Sequence, residues 1–207
     1  AGFRERVLDH LALFLVTFSD RHPLHAAGIE RDGKAVLLVG PSGLGKSSLT
    51  YAAMQEGWKV LADDAVYVQS APSRRLWGIP RQIHLPPESV RYFPELEDLP
   101  PVRRPDGRLK IAVEIPARAR ARIPSSGEVG LCLLTRRPGA VSPVRVTAEE
   151  AAVEMRQGLQ GGFERFAGSL DDCIASLASE EACWRLPVIA GPAELAGTLR
   201  AMFLGTP

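Results

Sequence analysis

Gly40-Pro41-Ser42-Gly43-Leu44-Gly45-Lys46-Ser47, entered from the apolar run Ala35 to Val39, is the stretch that decides the fold. It satisfies G-x-x-x-x-G-K-[ST] in full, in the setting of a strand running into a helix. The apolar run reads as a buried strand, and a helix follows from about Lys46 to Glu56, with Gly57 as its C-terminal stop. Each part of the loop has a chemical task. Glycines let backbone N–H groups turn inward around phosphate oxygens, and the helix N-terminus adds partial positive charge. Lys46 brings a full charge to the outer phosphates, and the Ser47 hydroxyl can ligate Mg2+. The expected nucleotide-binding set is Gly40, Pro41, Ser42, Gly43, Leu44, Gly45, Lys46, Ser47 and Ser48, with ATP and Mg2+ as cofactors.

Working outward, His25 to Glu30 and Ala35 to Val39 read as two strands joined by the hairpin turn Arg31-Asp32-Gly33-Lys34. Downstream, the apolar segment Trp58 to Ala62 ends in Asp63-Asp64. A carboxylate at the end of a buried strand, one helix after a phosphate loop, is where a nucleotide enzyme holds its metal. Strand alternation points the two side chains in different directions, so one can bind Mg2+ while the other takes a proton from an acceptor hydroxyl. Val66 to Gln69 is a further strand. Prolines from Pro80 to Pro105 cut residues 76–106 into loops, short strands and one helical turn near Glu88 to Tyr92.

Strands resume at Arg108 to Ile115 and Glu128 to Thr135. Thr147-Ala148-Glu149-Glu150 is a capping box opening a helix. A longer helical region spans Phe163 to Cys183, then come a strand at Trp184 to Ile189 and a last helix beginning at Gly191-Pro192. Near the start, Val7, Leu11, Phe14, Leu15 and Phe18 share one face of a helix over Phe3 to Phe18. The expected organisation is an N-terminal helix in 1–23 and one α/β nucleotide-binding domain in 24–207.

The chain's 207 residues suffice for one domain with a sizeable core. A net charge of +1 supplies no global field towards nucleic acid or a membrane, so neither is an expected partner. Cys132, Cys173 and Cys183 form an odd set without a close pair, which argues against a disulfide framework or a zinc site and fits a reducing cytoplasm. The apolar run Leu11 to Val16 is too short to span a bilayer.

Leu24-His25, Gly33-Lys34, the phosphate loop and Ala62-Asp63-Asp64-Ala65-Val66 resemble, in order and spacing, the catalytic domain of bacterial HPr kinase/phosphorylase. Pro101-Val102-Arg103-Arg104-Pro105-Asp106-Gly107-Arg108, followed by Ala112-Val113-Glu114-Ile115, resembles that family's Pro-Val-Arg-Pro-Gly-Arg loop and next strand, with extra residues and with Leu109 in place of an asparagine. Arg75-Leu76-Trp77-Gly78-Ile79 echoes a Glu-x-Arg-Gly-x-Gly signature, but Ser73 stands at the glutamate and Leu76 at the first glycine. The resemblance covers residues 24–69, extends to about 115, and is absent from Thr147 to Phe203.

It implies an HPr kinase C-terminal-domain-like, phosphoenolpyruvate carboxykinase-like α/β fold with a central mixed sheet and flanking helices. It also implies a catalytic set of Asp63 as general base, His25 beside it and Lys46 on the phosphates, with Ser47 and Asp64 on the metal. Arg108, within the basic stretch Arg103, Arg104, Arg108 and Lys110, would reach phosphates or an acidic substrate. The acceptor implied is a serine of a protein or peptide, as in homologues acting in modified-peptide (lasso-type) biosynthesis, and related kinases often form homo-oligomers. The alternatives are a kinase for a small-molecule hydroxyl and a nucleotide-gated regulatory module without catalysis.

Overall fold

The computed structural model describes residues 11, 15–16, 18–19, 21–70, 72–104, 107–121, 128–157, 167–178 and 183–205. Of the expected N-terminal helix, Leu11, Leu15 and Val16 are helical, while Val7 and Phe14 lie outside the described residues. So do Pro105, Asp106, Arg122 and residues 163–166 and 179–182 of the expected long helix.

The first strands are β1 (Arg21–Leu24), β2 (Ala26–Arg31) and β3 (Lys34–Val39). Helix α1 (Lys46–Gln55) leads to β4 (Lys59–Ala62) and β5 (Val66–Gln69). Four short or middle-length strands follow: β6 (Arg75–Trp77), β7 (Gln82–Leu85), β8 (Val102–Arg103) and β9 (Leu109–Glu114). The remainder is β10 (Val129–Thr135), β11 (Val144–Arg145), α2 (Ala148–Gln157), α3 (Ala167–Ala178), β12 (Cys183–Pro187) and α4 (Pro192–Leu204).

A six-stranded mixed sheet of order β11-β12-β10-β3-β2-β4 forms the centre. β3 and β10 lie in its middle and are buried on both faces, which is why they read as unbroken apolar runs rather than alternating ones. Period-two alternation still divides their side chains. Leu37, Val39, Leu131 and Leu133 pack with Ala151 and Met155 of α2 and with Ile174 and Leu177 of α3. Val36, Leu38, Cys132 and Leu134 pack with Leu49 and Ala52 of α1 and with Leu195 and Leu199 of α4. A small sheet is added to each side: β1-β5-β6 through Leu24, Val66, Val68 and Leu76, and β7-β9-β8 through Ile83, Leu85 and Ile111. The architecture is mixed α/β with helices on both faces of one central sheet.

Strand direction positions the site. β10 is parallel to β3 and to β12. β2 is antiparallel to both β3 and β4, so β4 runs the same way as β3. The segments leaving β3, β4, β10 and β12, and His25 entering β2, therefore gather at one edge of the sheet, where open α/β sheets bind ligands.

The expected hairpin turn at Asp32-Gly33 joins β2 to β3. The capping box is formed: Glu150 N donates to Thr147 Oγ1 at 3.1 Å, and Thr147 N donates to Glu150 Oε2 at 3.0 Å. The proline-rich stretch holds β7, β8 and 3-10 turns at Pro87–Arg91 and Pro94–Leu96. Arg21 and His22, placed before the domain by the expected boundary, already belong to β1, which pairs with β5. From sequence, Arg118, Arg120 and Arg122 alternate with alanines and read as one basic strand face, but Arg118 and Arg120 do not lie on such a strand. Pro116 leads into a 3-10 turn at Ala117–Ala119, and Arg120 Nε donates to Ile115 O at 2.9 Å.

Candidate active site

The phosphate loop leaves β3 and turns into α1 through Gly45, whose φ of 102° lies in the left-handed region that glycine occupies without a Cβ penalty. Lys46 opens the helix, and its ammonium folds back into the loop. Nζ donates to Gly40 O at 2.6 Å and to Pro41 O at 3.2 Å, and lies 3.0 Å from His25 Nε2. The residue is buried, and burial pulls its pKa below the usual lysine value, against the attraction of Asp64 and Asp63. The lysine thus ties the start of α1 back to the beginning of the loop through the carbonyls of Gly40 and Pro41.

His25 joins two charged groups. An ammonium only donates, so His25 Nε2 accepts from Lys46, and the proton sits on Nδ1, 3.2 Å from Asp64 Oδ1. The chain Lys46–His25–Asp64 ends in a carboxylate whose side chain is 73% exposed. The hydrogen bond from His25 is the main reason the Asp64 carboxyl lies below the ordinary range. Here the structure corrects a contact expected from sequence: the histidine lies against Asp64, not Asp63.

Asp63 sits in a different environment. It is buried, and its Oδ2 accepts the His84 backbone N–H at 2.9 Å. Burial pushes its pKa up to about 6, opposed by that N–H, by the Ser47 hydroxyl alongside and by the charge of Lys110, while Asp64 pushes it further up. Its Oδ1 is buried without a hydrogen-bond partner of good geometry. A buried carboxylate oxygen left unsatisfied beside a serine hydroxyl is a pair of hard oxygen donors. Such a pair fits Mg2+, which takes one or two protein carboxylates and completes its shell with phosphates and water. Among the described residues no group of three or more His, Cys, Asp or Glu side chains could by itself hold a metal ion.

The β8–β9 hairpin covers this edge. Arg108 Nη1 donates to Ser42 Oγ at 3.3 Å, bringing the expected arginine onto the phosphate loop. Arg104 Nη1 lies 3.1 Å from His84 Nε2, and Lys110 lines the same cleft. His84 was not singled out by sequence. The alternation Gln82-Ile83-His84-Leu85, with Ile83 and Leu85 buried, is the signal that turns His84 to the opposite face of β7. Burial, then the charge of Arg104, hold its pKa below the usual histidine value. Cys132, Cys173 and Cys183 are all buried.

The cleft measures about 1190 Å3 and contains Ser42, Gly43, Gly45, Lys46, Ser47 and Ser48 of the phosphate loop together with both aspartates and His25. Gly40, Pro41 and Leu44 form the rest of the loop. No helix among the described residues is long and apolar enough to cross a membrane.

No family model matches the chain. Curated HPr kinase/phosphorylases do resemble it. That of Streptococcus pyogenes serotype M5 is 32% identical over 79 residues, 38% of this chain and 26% of the relative. That of Cupriavidus necator is 41% identical over 68 residues, 32% of this chain and 21% of the relative. The chain thus spans about a quarter of the length of the curated relatives it matches. Among solved structures, the HPr(Ser) kinase/phosphatase from Coxiella burnetii aligns with a TM-score of 0.37 at 17% identity, over 61% of this chain and 76% of that one. Over about a third of its length, the chain is similar to HPr kinase/phosphorylases.

Proposed function

We propose that this protein is an ATP-dependent kinase that uses Mg2+ to transfer the γ-phosphoryl group to a serine hydroxyl of a protein or peptide. The observation that carries the reading is the chain Lys46–His25–Asp64, which runs from the phosphate loop to a carboxylate at the open mouth of the cleft. A module that only binds nucleotide has no need of an oriented carboxylate facing solvent.

In this reading the roles expected of the two aspartates are exchanged. Asp63, buried beside Ser47 with an unsatisfied oxygen, is the metal ligand in this reading. When bound, Mg2+ would neutralise charge on the outer phosphates. Asp64 is the group that receives the acceptor hydroxyl proton on its carboxylate, and His25 fixes its orientation. The low pKa of Asp64 makes it a weak base. That is compatible with a loose phosphoryl-transfer transition state, in which positioning and charge neutralisation carry most of the catalysis. Lys46 can move from the carbonyls of Gly40 and Pro41 to the phosphates, and Arg108 lies close enough to the loop to join it.

A macromolecular acceptor is favoured over a metabolite by the exposure of Asp64 and by the size of the cleft, which exceeds the range of ordinary small-molecule pockets, roughly 300–1,000 Å3. The relatives are named for HPr, and a serine of HPr or of another polypeptide fits the same site. The test measures Mg·ATP binding and phosphotransfer to serine peptides and HPr in three variants. Lys46→Ala should lose transfer while keeping its fold by circular dichroism. Asp64→Asn should bind Mg·ATP yet transfer at least about 100-fold more slowly, the usual worth of a positioned base. Asp63→Asn should lose the metal dependence of nucleotide binding. Near-normal transfer by folded Lys46→Ala or by Asp64→Asn refutes the assignment.

A further inference from the structure

His84 has no task in the phosphoryl transfer described above, yet its main chain and its ring both face Asp63. Ile83 and Leu85 point into the core, so strand alternation turns the His84 side chain to the other face of β7. Antiparallel pairing sets His84 opposite Ala112 of β9, and alternation along β9 puts Lys110 on that same face. The charge of Lys110 acts on both Asp63 and His84, so this face of the small sheet stands at the site.

Two donors of one residue are directed at one carboxylate oxygen. His84 N donates to Asp63 Oδ2 at 2.9 Å, and the ring Nδ1 lies 4.0 Å from the same Oδ2. The second distance is too long for a hydrogen bond. An N–H dipole at that range still favours a carboxylate beside it, because the Asp63 side chain is buried and water screens it little. The far end of the ring decides where its proton sits. Arg104 Nη1 lies 3.1 Å from His84 Nε2, and a guanidinium only donates. Nε2 therefore accepts, and the neutral ring carries its proton on Nδ1, towards Asp63. Arg104–His84–Asp63 repeats the order of Lys46–His25–Asp64, with a cation on Nε2 and an aspartate on the Nδ1 side.

One hydrogen bond anchors a carboxylate oxygen but leaves the plane of the group free to turn. A second donor beside the same oxygen restricts that turn. It leaves Oδ1, buried without a hydrogen-bond partner of good geometry, as the oxygen offered to a metal. Partners of this kind orient metal-ligating side chains and tune their affinity. We propose that His84 is a positioning residue for Asp63: its ring, set in the Nδ1–H tautomer by Arg104, steadies Oδ2 and so keeps Oδ1 for Mg2+. The proposal rests on the kinase reading above for the metal role of Asp63.

The experiment measures ATP binding by isothermal titration, with Mg2+ and with EDTA in its place, alongside thermal unfolding of each sample. The proteins are the wild type and the variants His84→Ala, His84→Asn and His84→Gln. The ratio of the two dissociation constants reads the metal's contribution. His84→Ala should shrink that ratio about ten-fold, the lower end of the usual loss because the main-chain N–H remains, and binding in EDTA should stay within about two-fold. His84→Asn, whose amide N–H can stand where Nδ1–H stood, should recover most of the ratio. His84→Gln, whose amide reaches the place of Nε2 instead, should not. An unchanged ratio in folded His84→Ala, or equal ratios for the Asn and Gln variants, overturns the positioning role and leaves the kinase reading standing. If His84→Ala does not fold, the contrast between Asn and Gln decides. A wild-type protein that binds ATP equally well with and without Mg2+ removes the metal role of Asp63 and the task of His84 together.

Discussion

The burial of Asp63 carries a cost in stability. Its pKa rises from an ordinary 3.8 to about 6, chiefly through burial. A folded-state value above the unfolded one means that the folded protein binds the proton more tightly. The penalty is absent below about pH 4 and fully present above about pH 6, so this group lowers stability as pH rises through that window. The shift corresponds to about 3 kcal/mol. Asp63→Asn should therefore be more stable than the wild type at pH 8 without metal or nucleotide, by up to that amount, and the two should converge near pH 4. Urea unfolding at both pH values measures it, and equal stability at pH 8 would show that the carboxylate is better solvated than its burial implies. The same residue shows where sequence reading stopped. Adjacent aspartates at a strand end can be told to diverge, but which one faces Ser47 depends on the register of β4 against β2. That register shifts between Gly28 and Ile29, an irregularity no local pattern announces.

At the scale of elements, legibility followed length and completeness of pattern. β3, α1, β5 and the capped start of α2 were readable because each combined a motif or cap with a sufficient apolar period. β6, β7 and β8 are two to four residues long and lie among prolines, so they owe their form to pairing with β5 and β9 rather than to local preference. Gly78, part of the weak signature echo, has a physical role there. A Cβ on it would sit 2.1 Å from Leu61 O and 3.0 Å from the Ala62 Cβ. The segment after β6 thus presses directly on the strand that delivers Asp63, and backbone cannot yield as a flexible side chain can. Gly78→Ala should cost about 1–3 kcal/mol, the usual range for overpacking, and should reduce Mg·ATP affinity by displacing the end of β4. Thermal unfolding together with nucleotide titration tests the link. Destabilisation with unchanged Mg·ATP affinity would separate this contact from the site.

For the whole molecule, the decisive arrangement is a small sheet reaching over the edge of the large one. Among the described residues, the β8–β9 hairpin reaches the site through Arg104 at His84 and Arg108 at Ser42 of the phosphate loop, with Lys110 in the same cleft. The second contact joins residues 66 positions apart through one exposed 3.3 Å hydrogen bond between a guanidinium and a neutral hydroxyl. Such a bond adds little to stability in water. Its value changes when phosphate oxygens occupy the loop, because the same guanidinium can then make charge-assisted, paired hydrogen bonds. Arg108→Ala should therefore leave the stability of the ligand-free protein within about 0.5 kcal/mol, as for most surface substitutions. Its affinity for Mg·ATP should fall by roughly 10- to 100-fold, the equivalent of losing hydrogen bonds to a charged partner. Arg108→Lys should recover part of that loss, since a point charge replaces the fork without its geometry. Isothermal titration with ATP beside chemical unfolding of the same samples separates the two effects. A variant that loses stability while binding ATP normally would make the hairpin a packing element, and the phosphates would then be held by the loop and Lys46 alone.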